Sequence, residues 1–151
     1  MATPAGYSGT PLSKKLGIKP GSQLVLLDEP SPLRTLLEPV PTDVNITTAL
    51  DVLVDVPVDV LVAFFVQRGR FEDRLGMLAA AIYPNGACWV AWPKRASKVP
   101  TDLTEDVVRE VALPIGLVDN KVCAINDTWS GLRLVWRKEH RRGPAPPTLR
   151  A

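Results

Sequence analysis

Two apolar segments on either side of an amphipathic helix constrain the fold of this chain most strongly. Val58–Val66 (VDVLVAFFV) and Ala87–Trp92 (ACWVAW) are rich in the β-branched and aromatic residues that are typical of buried strands. Between them, apolar side chains recur at helical spacing over Phe71–Tyr83, which predicts a helix that covers one face of a sheet. A strand, a helix and a strand in this order form a parallel crossover unit, so we expect an α/β fold.

Smaller elements extend this pattern along the chain. Turn residues and apolar runs predict a short helix over Leu12–Leu16, a strand over Gln23–Leu27, a short helix over Leu33–Leu37, a strand over Val44–Ala49, a helix that begins near Asp102, and strands over Leu117–Ile125 and Leu132–Trp136. The six-residue connection between the last two strands predicts an antiparallel hairpin. Leu50–Val56 fits neither a helix nor a strand well. We therefore expect a three-layer sandwich whose mostly parallel sheet ends in an antiparallel hairpin.

The length of 151 residues is typical of one domain. We expect an N-terminal segment with a short helix over residues 1–20, the α/β domain over 21–139, and a basic, proline-rich, disordered tail over 140–151. The net charge of +2 is too small to indicate nucleic-acid binding. The sequence shows neither an apolar run long enough to span a membrane nor a signal peptide, so we expect a cytoplasmic protein in which Cys88 and Cys123 stay reduced.

The turn after the first strand is unusual for a nucleotide-binding sheet. Such a strand is normally followed by a glycine-rich turn, because glycine lets the backbone approach phosphate groups. Here the turn reads Asp28-Glu29-Pro30-Ser31-Pro32, in which two carboxylates would repel a phosphate and the prolines lack N–H donors. The sequence therefore predicts that dinucleotides are not bound at this turn.

Polar residues follow several predicted strands, at the edge where the carboxyl ends of parallel strands meet. We expect a ligand crevice at this edge, lined by Glu29, Lys94, Ser97, Asp127, Trp129 and Ser130. Lys94 directly follows a buried strand, and three roles are open to it. It is a base or nucleophile, it binds a carboxylate or phosphate, or it is only a solvent-exposed cation. Trp129, in the predicted hairpin loop, either closes the end of the sheet or stacks on a ligand. Lys14 and Lys15 lie on a solvated helix face or on a lid over the crevice.

Signals for catalysis and for metal binding are weak. The only histidine is His140 in the basic tail, which argues against histidine-based triads and metal sites. The cysteines are not spaced as a zinc motif. A capping box of Asp102 and Glu105, together with the helix dipole, accounts for the acidic cluster that also contains Asp106. We therefore expect no metal site.

Two resemblances follow from these residues. Phe71–Trp92, a helix followed by Tyr83-Pro84-Asn85-Gly86 and an apolar strand, resembles the corresponding region of class I SAM-dependent methyltransferases, and the terminal hairpin resembles the end of that fold. This likeness implies a single Rossmann-like, methyltransferase-like domain. The glycine-rich first loop of that family is absent, so we expect no SAM and no other cofactor.

The chain also resembles the bacterial DUF3052 family over Gly6–Val135. The resemblance is carried by five blocks: Gly6–Leu12, Trp92–Lys94, Thr101–Arg109, Gly116–Cys123 and Thr128–Leu132. That family carries no established activity, so this resemblance concerns the fold and leaves the function open.

Three hypotheses about function remain. The first is a degenerate, non-catalytic methyltransferase-like domain that binds a small anionic ligand or a protein partner at the loop Pro93–Thr104 and at Trp129. The second is an enzyme that uses Lys94 with Asp102 or Asp127 on a carbonyl or phosphate substrate. The third is a purely structural or interaction protein, such as a homodimer joined through sheet edges. The weak signals for catalysis favour the first.

Overall fold

The computed structural model of the chain describes residues 10–30, 33–49 and 56–147. Within these ranges, four α-helices cover one mixed sheet of six strands. The helices are α1 (Leu12–Lys15), α2 (Leu33–Leu37), α3 (Arg68–Ile82) and α4 (Glu105–Ala112). The strands are β1 (Gln23–Leu27), β2 (Asn45–Thr47), β3 (Val60–Phe64), β4 (Ala87–Pro93), β5 (Leu117–Ala124) and β6 (Trp129–Trp136). Most of the ambiguous segment Leu50–Val56 lies outside the described residues.

The strand order in the sheet is β2-β1-β3-β4-β6-β5. The first four strands of this order are parallel, and β6 lies antiparallel between β4 and β5. Helices α1 and α2 pack on one face of the sheet, and α3 and α4 pack on the other. The predicted α/β sandwich with a mostly parallel sheet and a C-terminal antiparallel hairpin is therefore confirmed.

Strand β4 lies in the middle of the protein and is buried along its whole length. Its side chains alternate between the two faces, so that Trp92 packs under α3 and α4 whereas Trp89 packs under α1 and α2. The indole N–H of Trp89 donates to the carbonyl oxygen of Leu16 at 3.0 Å, just after α1. This bond satisfies the one polar group of a buried tryptophan and fixes α1 to the sheet.

The opposite helical layer has a similar anchor. Trp136 at the end of β6 is fully buried, and its indole N–H donates to the carbonyl oxygen of Ala79 in α3 at 2.8 Å. The two layers are thus each held by a packed indole ring and by a hydrogen bond to a helical segment. We expect loss of either indole to disrupt both packing and hydrogen bonding.

The hairpin differs from its prediction in where its second strand begins. Strand β6 begins at Trp129 instead of Leu132, because the Asn126 side-chain oxygen accepts from the backbone N–H groups of Thr128 at 2.9 Å and Trp129 at 2.8 Å and so tightens the turn. Trp129 is therefore a strand residue, and its predicted place in a loop is wrong. In the C-terminal segment, the Tyr83 hydroxyl donates to the Gly143 carbonyl oxygen at 2.7 Å.

We predict that Gly86→Ala destabilises the protein by about 1–3 kcal/mol or more. A Cβ at this buried turn before β4 would overlap the carbonyl oxygen of Val58 and lie 2.9 Å from that of Ile82, and neither backbone group can move freely. Gly76→Ala is the matched control, because a Cβ there meets no atom within 4 Å and alanine favours the exposed helix by about 0.5–1 kcal/mol. Urea unfolding measures both, and equal midpoints for the two variants would contradict the prediction.

Candidate functional site

The strand ends that were expected to form a crevice meet at one edge of the sheet. The parallel strands β1, β3 and β4 end there, and the hairpin returns there because β6 pairs Trp129 with Pro93 and Ser130 with Ala124. In sheets of this type, ligands bind beyond the carboxyl ends of the strands, at the point where the strand order reverses. In this sheet that point lies between β1 and β3.

Two carboxylates lie at the reversal point, and each is paired with an arginine. Asp28, which follows β1 in a left-handed conformation with φ of 56°, pairs with Arg70 at 3.7 Å. Glu29 pairs with Arg34 at 3.8 Å, and its second carboxylate oxygen is buried without a hydrogen-bond partner among the described residues. Two carboxylates therefore lie where an anionic group of a nucleotide would be expected, and they disfavour an anion there.

The loop after β4 is braced by its short polar side chains. The Ser97 hydroxyl donates to the Lys94 carbonyl oxygen at 2.6 Å and accepts from the N–H of Val99 at 3.2 Å. The Thr101 hydroxyl donates to the carbonyl oxygen of Val66, beyond β3, at 2.6 Å. The Ser97 hydroxyl thus maintains the turn of this loop.

Asp102 caps a different helix from the one that the sequence indicated. Its carboxylate accepts from the backbone N–H of Arg68, the first residue of α3, at 2.7 Å. Helix α4 is instead capped by Thr104, whose side chain accepts from the N–H of Val107 at 3.2 Å. The predicted capping box of Asp102 with Glu105 is therefore wrong, and the Asp102 carboxylate is not a free partner for Lys94.

The remaining acidic residues near α4 bind an arginine. Arg109 pairs with Glu105, with Asp106 at 3.2 Å and with Asp119 of β5 at 2.9 Å. The hydrogen bonds to Asp119 and Glu105 raise the pKa of the Arg109 guanidinium above its usual value. This network ties α4 to β5. Across the described parts of the chain, no three His, Cys, Asp or Glu side chains are placed to hold a metal ion.

A cleft of about 440 Å³ lies beside the loop after β4. Its floor includes the buried Trp92 and Leu103, and two cations, Arg95 and Lys98, lie on its rim. Lys98 adopts a left-handed conformation with φ of 62°. We refer to this feature, lined by Trp92, Pro93, Arg95 and residues 98–101 and 103–105, as the loop cleft.

A second cleft of about 520 Å³ lies on the α1 face of the sheet, between α1 and β5. We refer to it as the lysine cleft; among the described residues it is lined by Thr10, Lys14, Lys15, Lys121, Val122, Cys123 and Ala124. This described lining contains three lysines and no acidic residue. Thr10 and the first two lysines come from the N-terminal segment, and the rest come from β5.

The charge of a fourth lysine, Lys94, also acts on the pKa of Cys123 in this cleft. Burial raises the pKa of the Cys123 thiol, while the positive charges of Lys15, Lys121 and Lys94 act on it in the opposite direction. Lys94 follows β4, so the cations that act on the pKa of this half-buried thiol come from three separate parts of the chain. Cys88, by contrast, is fully buried, and burial raises its pKa to about 12.

Three of the six predicted site residues lie around Cys123. Besides Lys94, Ser130 donates from its hydroxyl to the Cys123 carbonyl oxygen at 3.4 Å, and Trp129 packs in the same apolar cluster as Cys123. The Trp129 ring meets Phe64 edge-on at 5.1 Å, so much of it fills the end of the sheet. The other three lie elsewhere: Glu29 at the reversal point, Ser97 in the loop turn and Asp127 exposed in the hairpin turn.

The sequence reasoning missed the two residues that β5 contributes, Lys121 and Cys123. They were assigned to an apolar strand, although their separation by two positions places them on the same face. Residues two positions apart in a strand normally share a face, but the pairing of β5 with β6 is irregular between Asp119 and Lys121. Asp119 therefore faces α4, whereas Lys121 lines the cleft on the α1 side. That irregularity has no clear signal in the residues themselves.

Comparisons with known proteins bear on the fold. The chain is similar to a solved protein of the NADB-Rossmann superfamily from Streptococcus agalactiae, with a TM-score of 0.50 and 9% identity over 87% of this chain and 70% of that one. At this identity the likeness shows a Rossmann-like fold alone.

Two solved methyltransferases are also similar. A SAM-dependent methyltransferase from Aquifex aeolicus aligns with a TM-score of 0.48 and 12% identity over 80% of this chain and 85% of that one. A release factor-specific protein-(glutamine-N5) methyltransferase from Alicyclobacillus acidocaldarius aligns with a TM-score of 0.49 and 13% identity over 91% and 99%. No protein-family model and no curated protein matches this chain.

We predict that Asp102→Ala destabilises the protein by about 0.5–2 kcal/mol, the usual cost of losing a side-chain cap at a helix N-terminus. Asp102→Asn keeps an oxygen acceptor and should recover most of the loss. Asp73→Ala, an exposed carboxylate on α3 itself, is the control and should stay within about 0.5 kcal/mol of the wild type. Urea unfolding of the three variants tests this, and an unchanged stability for Asp102→Ala would contradict the capping role.

We also predict that Lys94→Gln raises the pKa of Cys123. A nearby positive charge stabilises the thiolate, so its removal makes ionisation harder and slows alkylation at a given pH. The measurement is the pH dependence of Cys123 alkylation, followed by mass spectrometry. Lys98→Gln removes a cation from the rim of the loop cleft and should leave this pH dependence unchanged; an equal shift in both variants would contradict the assigned proximity.

Proposed function

We propose that this chain is a non-catalytic, methyltransferase-like domain that binds a small anionic ligand in the lysine cleft. The observation that carries the proposal is the described lining of this cleft, which contains Lys14, Lys15 and Lys121 and no acidic side chain. The charge of Lys94 also acts on Cys123 in this lining. The volume of about 520 Å³ falls within the range of small-molecule sites. The proposed site extends from the predicted crevice toward α1. It includes Lys14 and Lys15, which the sequence placed on a solvated helix face or on a lid over the crevice.

A second observation supports an anion as the ligand. Lys121 of β5 lies directly opposite Arg133 of β6, and like charges in this cross-strand position destabilise a sheet by about 0.2–1 kcal/mol. Burial lowers the pKa of Arg133, and the charge of Arg141 lowers it further. A bound anion would offset this repulsion, so binding and fold stability should rise together.

The proposal includes the absence of SAM chemistry. The turn that should approach SAM carries Asp28, Glu29 and Pro30 instead of glycines, so these residues do not fit the usual mode of binding. The alternative of an enzyme needs a carboxylate beside Lys94, either Asp102 or Asp127. The Asp102 carboxylate already accepts a hydrogen bond from the backbone N–H of Arg68 at the N-terminus of α3, so only Asp127 remains as a candidate. We regard ligand binding as the better supported function for that reason.

Family membership and location are further parts of the proposal. We infer that the chain belongs to the DUF3052 family, on the five sequence blocks that resemble it. Two free thiols support a reducing, cytoplasmic location. In the part of the chain that the structure describes, no helix is both long and apolar enough to cross a membrane.

We predict that small anions raise the thermal unfolding midpoint. At a concentration about 100 times the Kd, a single bound ligand contributes about 2.7 kcal/mol, or a rise of about 5–10 °C for a chain of this size. Differential scanning fluorimetry with phosphate, sulfate, malonate and citrate, at constant ionic strength, measures the shift. Lys94→Gln should reduce it strongly.

The controls separate the two clefts. Lys98→Gln should respond like the wild type, because Lys98 lines only the loop cleft. A loss of the shift in Lys98→Gln alone would place the anion in the loop cleft and contradict the proposal, as would a midpoint that no anion moves. SAM belongs in the same panel, and we expect it to leave the midpoint unchanged.

A further inference from the structure

We infer that the loop cleft is a second ligand site, which takes a small amphipathic anion: an apolar group that carries one carboxylate or phosphate. The inference goes beyond the proposed function, because the loop cleft and the lysine cleft share no lining residue. Two features of the loop cleft support it. Its floor is apolar, and the cations on its rim have no acidic partner among the described residues.

The apolar floor lies on the α4 face of the sheet. Trp92 and Leu103 are part of the lining, and both belong to the core cluster beneath α3 and α4. Val99 and Pro100 add exposed apolar residues to the lining, and Val99 is 40% exposed. An apolar ligand group that covers these residues removes its own surface and theirs from water.

Two cations on the rim are available to an anion. Arg95 and Lys98 are exposed, and neither side chain forms an ion pair or a hydrogen bond with any residue that the structure describes. The described lining contains one carboxylate, Glu105, and it pairs with Arg109 of the same helix. An anionic group at the rim would therefore meet two cations that no described carboxylate neutralises.

The other polar side chains of the lining are occupied within the protein. The Thr101 hydroxyl donates to the carbonyl oxygen of Val66 and accepts from the backbone N–H of Leu103 at 3.1 Å. The Thr104 side chain caps α4. The lining thus offers charge and apolar contact but few neutral hydrogen-bonding groups, which suits an amphipathic anion better than a sugar.

The backbone of Lys98 supports a role for its side chain. This residue follows the helical turn Arg95–Ser97 in a left-handed conformation with φ of 62°. Glycine is favoured in this conformation, because a Cβ crowds the neighbouring backbone. A lysine at this position therefore places a cation on the rim at the expense of loop stability, as residues at binding sites commonly do.

Charge alone is too weak to hold a ligand in the loop cleft. A pair of exposed charges strengthens an interaction by only about fivefold or less, because water screens it. Each methylene group that a ligand buries strengthens binding by up to about fourfold. Compact anions such as phosphate and malonate should therefore bind poorly here, whereas an apolar group of several carbons provides the affinity and the cations select its charge.

Titrations of the full chain, followed by two-dimensional NMR spectroscopy of its backbone amides, test the inference. The probes are butanoate, hexanoate, hexyl phosphate and hexan-1-ol, all at constant ionic strength. We expect the amide signals of residues 95–104 to shift, and hexanoate to bind several times more tightly than butanoate. At least one of the two six-carbon anions should bind about fivefold more tightly than hexan-1-ol, and the tighter of the two identifies the charged group.

Variants separate the charge from the apolar contact. Arg95→Gln combined with Lys98→Gln should weaken hexanoate binding by about fivefold and leave hexan-1-ol binding unchanged. Val99→Thr keeps the shape of the side chain but makes it more polar, and it should weaken the binding of both probes. Lys98→Gly relieves the left-handed conformation, so its loss of hexanoate affinity cannot come from a strained loop. Lys138→Gln removes an exposed cation elsewhere and should bind hexanoate like the wild type.

Four results would overturn the inference. Signals that shift around Cys123 instead of residues 95–104 would place the ligand in the lysine cleft. Equal affinities for hexan-1-ol and both six-carbon anions would exclude a role for the cations, and equal affinities for butanoate and hexanoate would exclude the apolar floor. The fourth result is that no probe binds. The thermal shifts that compact anions cause through the lysine cleft are measured separately, so the two sites can fail independently.

Discussion

The burial of β4 on both faces is the constraint on which the rest of this structure depends. Every residue of Ala87–Pro93 is buried, so each side chain must match one helical layer or the other. Trp89 does more than fill space, because its hydrogen bond to Leu16 holds the end of α1 on the sheet. Lys14 and Lys15 are positioned by the same helix, and the charge of the cleft therefore depends on packing in the core.

Polar residues at the carboxyl edge divide into two groups with different consequences. Ser97, Thr101 and Asp102 have their hydrogen-bonding capacity taken up by backbone groups of neighbouring loops, and they make this edge rigid. The lysines around Cys123 are instead gathered beside a lining without acidic side chains. A base or nucleophile needs a free partner group beside it, and the hydrogen bond of Asp102 to Arg68 takes up one such group.

The fold could be predicted from the sequence because its strong signals are local. The β-branched content of Val60–Phe64 and the helical spacing after Phe71 do not depend on distant contacts. Asp102 illustrates the limit: a local pattern assigned it to α4, but α3 begins nearby in space and competes for its carboxylate. The lysine cleft was missed for a similar reason, since it requires the position of α1 against β5 and the irregular pairing near Asn120.

The insertion of β6 between β4 and β5 has a consequence for synthesis of the protein. One wall of the lysine cleft is made early, with Lys14 and Lys15, whereas the other is made late, with Lys121 and Cys123. A nascent chain on the ribosome can form the parallel β1, β3 and β4 core before the hairpin emerges. The cleft is therefore absent until the last two strands have been translated and inserted, so only chains that have completed their sheet present it.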